Sequence, residues 1–454
     1  MDLLRIHNSQ KSKNPKKFTN SKNQFQNCLA NYMNSQSKLP CIIGSTGSRF
    51  SKTTTNRATD PFDSTLQPNY FKSLQWSPDG QCILTNSFDN TLRLFDAGSA
   101  LYENPTTTSV VDLVESLQIK SAEPVYDMKW YPFMSSSDPS TSCFVSCSRD
   151  HPVQLWDAYT GQLRASYITK DHVDQVCAPI SLAFNLDGTK IFCGFDGQLQ
   201  IFNTGRPGTD CEIVPLTPNK KSRDGTKGLV SSIAFSPDQS GLYGVGTYAG
   251  SISLYDSLTH NPIQTLKPST RSGVCQIHFT PTTATTLLFA ASRQSTVIDC
   301  WDLRMMGHTP LGRFHRDAQT QQRLAFDIGV IEHGMHLVAG DKSGTIRVYD
   351  VISALDHAAH STTSTTADHT DVLEIDTPWC EFKNAANASI GATQFHPFAP
   401  VIAMCSGERV QTWERNIDLN PDTPIVANSN EPELDKHMEC RLSILKWDTA
   451  ANTI

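Results

Sequence analysis

Residues 144–166 read FVSCSRDHPVQLWDAYTGQLRAS and place Cys147, Ser148, Asp150 and His151 within five positions. These are the residue types of nucleophilic catalysis, in which nucleophile, base and orienting acid meet at one reacting atom. On an extended chain, sequence neighbours point to opposite faces, so such a run does not converge. The residues that follow give the alternative. Val153, Leu155 and Trp156 form a short apolar strand that closes on Asp157, and the same shape recurs along the chain. Asp150 then belongs to a tight turn and His151 to the start of a strand. The rest of the chain offers no other catalytic pattern: it lacks a phosphate-binding Gly-rich loop with Lys-Ser/Thr, zinc-type ligand spacing and paired acids on one strand face. The fragment GSTGSR at 44–49 lies in a polar head without the flanking strand and helix.

The elements that would position any site are short β-strands. The clearest unit is FKSLQWSPDGQCILTNSFDNTLRLFD, 71–96, which reads as strand, SPDG turn, strand, DN turn and strand, ending on Asp96. Pro, Asp, Gly and Asn supply the dihedrals those turns require. Related closing strands VQLWD, LQIFN, ISLYD, VIDCWD, IRVYD and RVQTWE end at Asp157, Asn203, Asp256, Asp302, Asp350 and Glu414. Successive ends are 61, 46, 53, 46, 48 and 64 residues apart. Such units cannot bury both faces alone and must stack on neighbours. Seven of them, five ending in aromatic-Asp and the others in Phe-Asn and Trp-Glu, predict an all-β, seven-bladed WD-repeat β-propeller. Asp89, Asp150 and Asp196 lie in turns seven residues before the closing residue, where a WD repeat holds a hydrogen-bonding acid. The Gly-His pair that precedes a regular WD blade is largely missing.

The propeller is expected over 61–454, with loop inserts near 352–376 and 415–438. The segment ECRLSILKWD, 439–448, is expected to supply the outer strand of the last blade. His357, His360 and His369 fall in the Ser/Thr-rich first insert, without the acidic ligands or fixed scaffold of a metal site. Residues 1–60 are rich in Ser, Asn, Lys, Gln and Thr and are expected to form a disordered basic tail. They hold ten Lys or Arg and two acids, about +8, which leaves about −15 for the rest of a chain whose net charge is −7. KSKNPKK at 11–17 fits a nuclear import signal. The 13 cysteines contain no CxxC pair, as expected of free thiols in a reducing compartment. No apolar run approaches the roughly 18 residues of a membrane span, and the first residues lack the apolar core of a signal peptide.

Five stretches carry a more specific signal: KSLQWSPDGQCILTNSFDNTLRLFD (72–96), VYDMKWYPFMSSSDPSTSCFVSCSRDHPVQLWDAYTGQLRASY (125–167), IFCGFDGQLQIFNTGRPGTDCE (191–212), IDCWDLRMMG (298–307) and ECRLSILKW (439–447). From about residue 70 to the end, inserts aside, the chain resembles the telomerase Cajal body protein family of WD-repeat proteins. The second and third stretches include residues outside any repeat, such as MSSSDP and TGRPGTDCE. The tail, the 352–372 segment and the seventh blade depart from the family. The resemblance implies a non-enzymatic RNA-binding scaffold without cofactor or small-molecule substrate. It would recognise a short box in the loop of H/ACA-type small Cajal body RNAs, including telomerase RNA. It would hold the ribonucleoprotein, with its other proteins, in a Cajal body or equivalent nuclear body, with the cytoplasm as a further location.

Single-stranded RNA loops are gripped by aromatic stacking, by Arg or Lys on phosphates and by hydrogen bonds to splayed bases. On an acidic body the basic surface must be a local patch. The candidates are Lys220, Lys221, Arg223 and Lys227 in PNKKSRDGTKG, Arg149 in SRD, Arg206 in TGRPG, Arg293 in ASRQ and Arg323 before the sixth blade, with Trp130 and Tyr131 as base-stacking rings. For each, a structural role in packing or blade-to-blade pairing is the competing reading. WDLR at 301–304 also fits a WDxR box, which makes Arg304 a docking candidate for a cullin ubiquitin ligase. A plain protein-interaction propeller is the third reading.

Overall fold

In the first repeat the turn residues close each hairpin by local hydrogen bonds. Ser77 Oγ donates to Asp79 (2.6 Å) and Gly80 adopts φ +71°; Ser87 Oγ donates to Asp89 (2.6 Å) and Asn90 adopts φ +60°. The strands so joined are Phe71–Trp76, Cys82–Ser87 and Thr91–Asp96, with Glu115–Lys120 as the outer fourth. The computed structural model describes residues 41–446 apart from 48–49, 51, 57–63, 99–109, 172, 219–224, 282–285, 306, 332–333, 363–371, 384 and 409–439.

Six further sheets repeat this antiparallel order, and the seven form the propeller that the repeats predict. The innermost strands of blades two to seven are Val125–Trp130, Ser181–Phe184, Val230–Phe235, Val274–Phe279, Phe326–Ile331 and Ile390–Phe395. Second strands such as Cys82–Ser87, Cys143–Ser148 and Val401–Ser406 are buried at every position, because both their faces meet a neighbouring blade. Side chains of the inner strands tie each blade to the next. Asp127 accepts the Leu182 N–H (2.9 Å), Ser232 that of Ile277 (3.1 Å), Gln276 that of Phe326 (3.1 Å), Asp327 that of Phe395 (2.9 Å) and Gln394 that of Trp76 (2.6 Å).

The ring closes differently from the sequence expectation. Arg441–Lys446, within ECRLSILKWD, is the third strand of the last blade and not its outer strand. The outer strand is Cys41–Ser45, antiparallel to it from Cys41 opposite Lys446 to Ser45 opposite Ser443. The reason lies in burial: Leu442–Leu445 are buried, so this segment needs a partner on each side. The expected tail boundary at 60 therefore moves back to at least Cys41, and the strands Lys52–Asn56 and Ser64–Pro68 pair as a hairpin before blade one. Residues 1–40, the RVQTWE segment and all of 415–438 lie outside the described residues. The insert near 352–376 is also not all loop. Val351–Thr362 is a helix whose Val351 and Leu355 are buried against blades five and six, and Leu373–Ile375 adds a parallel strand to Gly312–His315. His357 is exposed on that helix, and the side chains of His360 and His369 lie outside the described residues. Among the described residues no helix is long and apolar enough to cross a membrane.

The seam between the last and first blades contains a buried imidazole. His396 Nε2–H donates to the Gly80 carbonyl (2.9 Å), and its Nδ1 accepts the Phe398 and Ala399 N–H groups (3.0 and 2.8 Å). Burial holds its pKa down at about 4. The folded state thus binds fewer protons than the unfolded state between that value and the free imidazole's, about 6.5. The seam's contribution is full above about pH 6.5 and declines as the pH falls toward 4. A denaturant midpoint that drops between about pH 7 and about pH 5, and drops less in a His396→Gln variant, is expected; equal profiles would contradict this.

Candidate nucleic-acid interface

In a sheet of four antiparallel strands, the turn between the second and third strands lies at the same end as the connection that enters the blade. Backbone bonds fix this end. The first residue after the second strand donates its N–H to the entering connection: Phe88 to Tyr70 (2.8 Å), Arg149 to Pro124 (3.1 Å), Tyr248 to Leu229 (2.9 Å), Arg293 to Gly273 (2.8 Å) and Gly407 to Ser389 (2.9 Å). One position per blade therefore lines one rim, and it carries Phe88, Arg149, Phe195, Tyr248, Arg293, Asp341 and Gly407 in order around the ring.

At blades four to six this rim gathers cations around an aromatic ring. Tyr248 is 38% exposed and packs on the backbone at Gly273, where an added Cβ would lie 2.8 Å from the Tyr248 carbonyl. Arg293 donates to Gln321 Oε1 (2.8 Å). Arg323 and Arg293 both lie close enough to act on the Tyr248 phenol, whose pKa burial nonetheless pushes up. Arg271 is exposed on the connection from blade four to blade five. None of Arg271, Arg293 and Arg323 forms an ion pair among the described residues, so their charge is not consumed internally. Tyr248 and Arg323 also line the mouth of an axial channel of about 670 Å³, together with Lys72, Phe88 and Tyr126.

The other candidates divide between the two ends. Arg149 stands on this rim with its side chain 60% exposed, 3.3 Å from the Asp150 carboxylate. Lys227 is exposed on the connection into blade four, while Lys220, Lys221 and Arg223 lie outside the described residues. Arg206 is exposed in a turn at the opposite end. Trp130 contradicts its stacking assignment: it is 7% exposed, sits edge-on to Phe144 and donates its indole N–H to Gln75 O (3.3 Å). The last residue of an inner strand points between blades, which is why this ring is core. Tyr131 is half-buried at the same end, edge-on to Phe133 and Phe184. Arg304, also at that end, folds onto Asp302 in a bidentate pair (2.6 and 3.0 Å).

The residues around Cys147 do not converge. Cys147 and Ser148 are buried, and burial pushes the Cys147 thiol well above its usual range. Asp150 is 72% exposed and His151 Nδ1 is bound to the Arg149 carbonyl (2.7 Å). Of the three turn acids, Asp89 does build a network: it pairs with buried Arg93 (2.5 Å), whose guanidinium lies 4.8 Å from the Phe50 ring. Asp196 is exposed.

Tyr248, Arg271, Phe88 and Lys72 escaped the sequence reading. For Tyr248 and Phe88 the signal was positional, whereas Lys72 lies within an inner strand and Arg271 on a connection. Once the repeats are aligned on the second strand, the next residue is aromatic or Arg in blades one to five.

The fold and its rim define a WD-repeat β-propeller, and the family "WD domain, G-beta repeat" matches residues 65–96. Among curated proteins the chain is a homologue of those named Telomerase Cajal body protein 1. It is 34% identical to the mouse protein over 84% of this chain and 66% of that one, and 32% identical to the Drosophila melanogaster homolog over 63% and 52%. It is also 29% identical to the Schizosaccharomyces pombe protein "Guanine nucleotide-binding protein negative regulator 1" over 62% of this chain and 70% of that one. The resemblance read from the sequence therefore stands. The chain spans just under two thirds of the length of the mammalian relatives it matches. The fold and these relatives point to a non-enzymatic protein.

Proposed function

We propose that this propeller is an RNA-binding scaffold. It recognises the single-stranded loop of H/ACA-type small Cajal body RNAs, telomerase RNA among them, and holds the ribonucleoprotein in a nuclear body. One observation carries the reading: Arg293 and Arg323, which form no ion pair among the described residues, lie beside the half-exposed Tyr248, with Arg271 exposed on the adjoining connection, on a chain of net charge −7. Beyond residue 60 the chain carries about −15, so the propeller gains attraction for polyanions at such a patch. Arginines without a carboxylate partner are free to take phosphate oxygens, and an aromatic ring beside them suits an unstacked base. Arg149 and Lys227 extend the same rim. The names of the relatives support the choice of RNA and of the nuclear body.

Crosslinking of the tagged full-length chain followed by RNA sequencing tests this. H/ACA-type loops enriched over background are the expected result. Recovery of a cullin ligase adaptor without RNA would overturn it in favour of docking through Arg304.

A further inference from the structure

We infer that Phe88 is a stacking platform for an unpaired nucleobase, across the channel mouth from the arginine cluster; this rests on the RNA reading above. Phe88 is 42% exposed, although its equivalent in blade three, Phe195, is 8% exposed. An exposed phenyl ring on a rigid rim forgoes hydrophobic stabilisation unless something covers it. It is also held in place. Its N–H is bound to the Tyr70 carbonyl, and the buried Asp89–Arg93 pair fixes the turn behind it.

The ring's surroundings suit a flat, electron-poor, anion-linked ligand. Tyr70, itself 7% exposed, stacks on it with centroids 5.1 Å apart and planes at 21°. The Lys72 ammonium lies 5.5 Å from the ring centroid. A base laid on Phe88 would take the place of the Lys72 ammonium that lies over the ring, continue the Tyr70–Phe88 stack and move Lys72 toward the phosphate joined to that base. Phe88 and Lys72 line the same channel mouth as Tyr248 and Arg323. Blades one and four lie on opposite sides of a seven-membered ring, so a ligand touching Phe88 and Tyr248 must cross the opening. A tight RNA loop with extruded bases does that, whereas a paired stem keeps its bases stacked inside. The predicted ligand is thus a loop with at least two splayed bases, one on each aromatic ring.

The test uses the full-length chain and two probes, an RNA hairpin with an unpaired H/ACA-type loop and a fully paired duplex of the same length. Phe88→Ala and Phe88→Leu are each expected to weaken hairpin binding about tenfold, the order that loss of one base stack produces. The dependence on salt and the duplex affinity should be unchanged, and Phe88→Trp should restore binding. Leu keeps an apolar side chain at the turn, so a loss shared by both variants is not a folding defect. If both variants bind the hairpin like wild type, the platform is wrong while the arginine patch stands. Wild-type protein that binds neither probe overturns both readings. A loss equal for hairpin and duplex, or one that flattens the salt dependence, shows a structural or electrostatic role and also overturns the platform.

Discussion

A chain beginning at residue 46 is expected to melt about 4–6 °C below the full-length protein and to aggregate on heating, whereas one beginning at residue 41 melts like the full chain. Cys41–Ser45 is the fourth strand of the last blade, and its removal bares the edge of Arg441–Lys446. The strand is held on both sides. Thr46 N–H donates to the Leu442 carbonyl (3.0 Å) and Leu113 N–H to the Ser45 carbonyl (3.0 Å), where Val111–Asp112 pairs in parallel. Ile43 packs on the core shared by blades seven and one, and Ile42 on the core shared by blades six and seven. Two partly buried isoleucines and an orphaned strand edge together amount to about 3–5 kcal/mol. An exposed apolar edge strand also invites pairing between chains. Thermal unfolding followed by circular dichroism and light scattering reads both effects. Equal melting of the chains beginning at 41 and 46 would show that the ring is closed without this strand.

The second large effect is electrostatic. Arg293→Ala with Arg323→Ala is expected to weaken binding of an H/ACA-type RNA hairpin about 10–100-fold at low salt. The slope of log affinity against log salt should fall by about 1.4, since each phosphate contact to single-stranded nucleic acid contributes about 0.7. Neither guanidinium has an ion-pair partner among the described residues, so their loss bares no buried charge. The double variant should therefore melt like wild type. Arg206→Ala with Arg304→Ala, at the other end of the propeller, removes the same charge and should leave RNA affinity nearly unchanged. A similar loss from either pair would mean that RNA responds to net charge and not to the rim.

The repeats were legible because their determinants are local. SPDG and FDN turns, alternating strands and a closing aromatic-Asp sit within about 25 residues of one another, so blades one to six could be read in order, whereas the third strand of blade seven, read as RVQTWE, is Arg441–Lys446. The closing strand could not. CIIGS is five residues in a polar, lysine-rich head, and the segment it pairs with lies some 400 residues away. Nothing near it marks a strand; the need for it arises from the bare edge of Arg441–Lys446. The helix Val351–Thr362 escaped for a related reason: its Ser, Thr and His content reads as loop, and Val351 and Leu355, buried among its described side chains, find their partners in blades five and six. For the proposed interface, Arg149 and Arg293 were singled out in turns after strands and Arg323 before the sixth blade. Trp130 misled because a ring before a proline-containing turn looks exposed, while the strand end directs it between blades. Tyr248 and Phe88 became visible only when equivalent turn positions were compared around the ring.

Mapping protein–RNA crosslinks on the full-length chain by mass spectrometry tests the account most directly. Ultraviolet irradiation of the chain bound to an H/ACA-type hairpin should place the crosslinked nucleotides on peptides containing Phe88, Tyr248, Arg271 or Arg293. Crosslinks confined to the opposite end, on peptides containing Tyr131, Arg206 or Arg304, would contradict it.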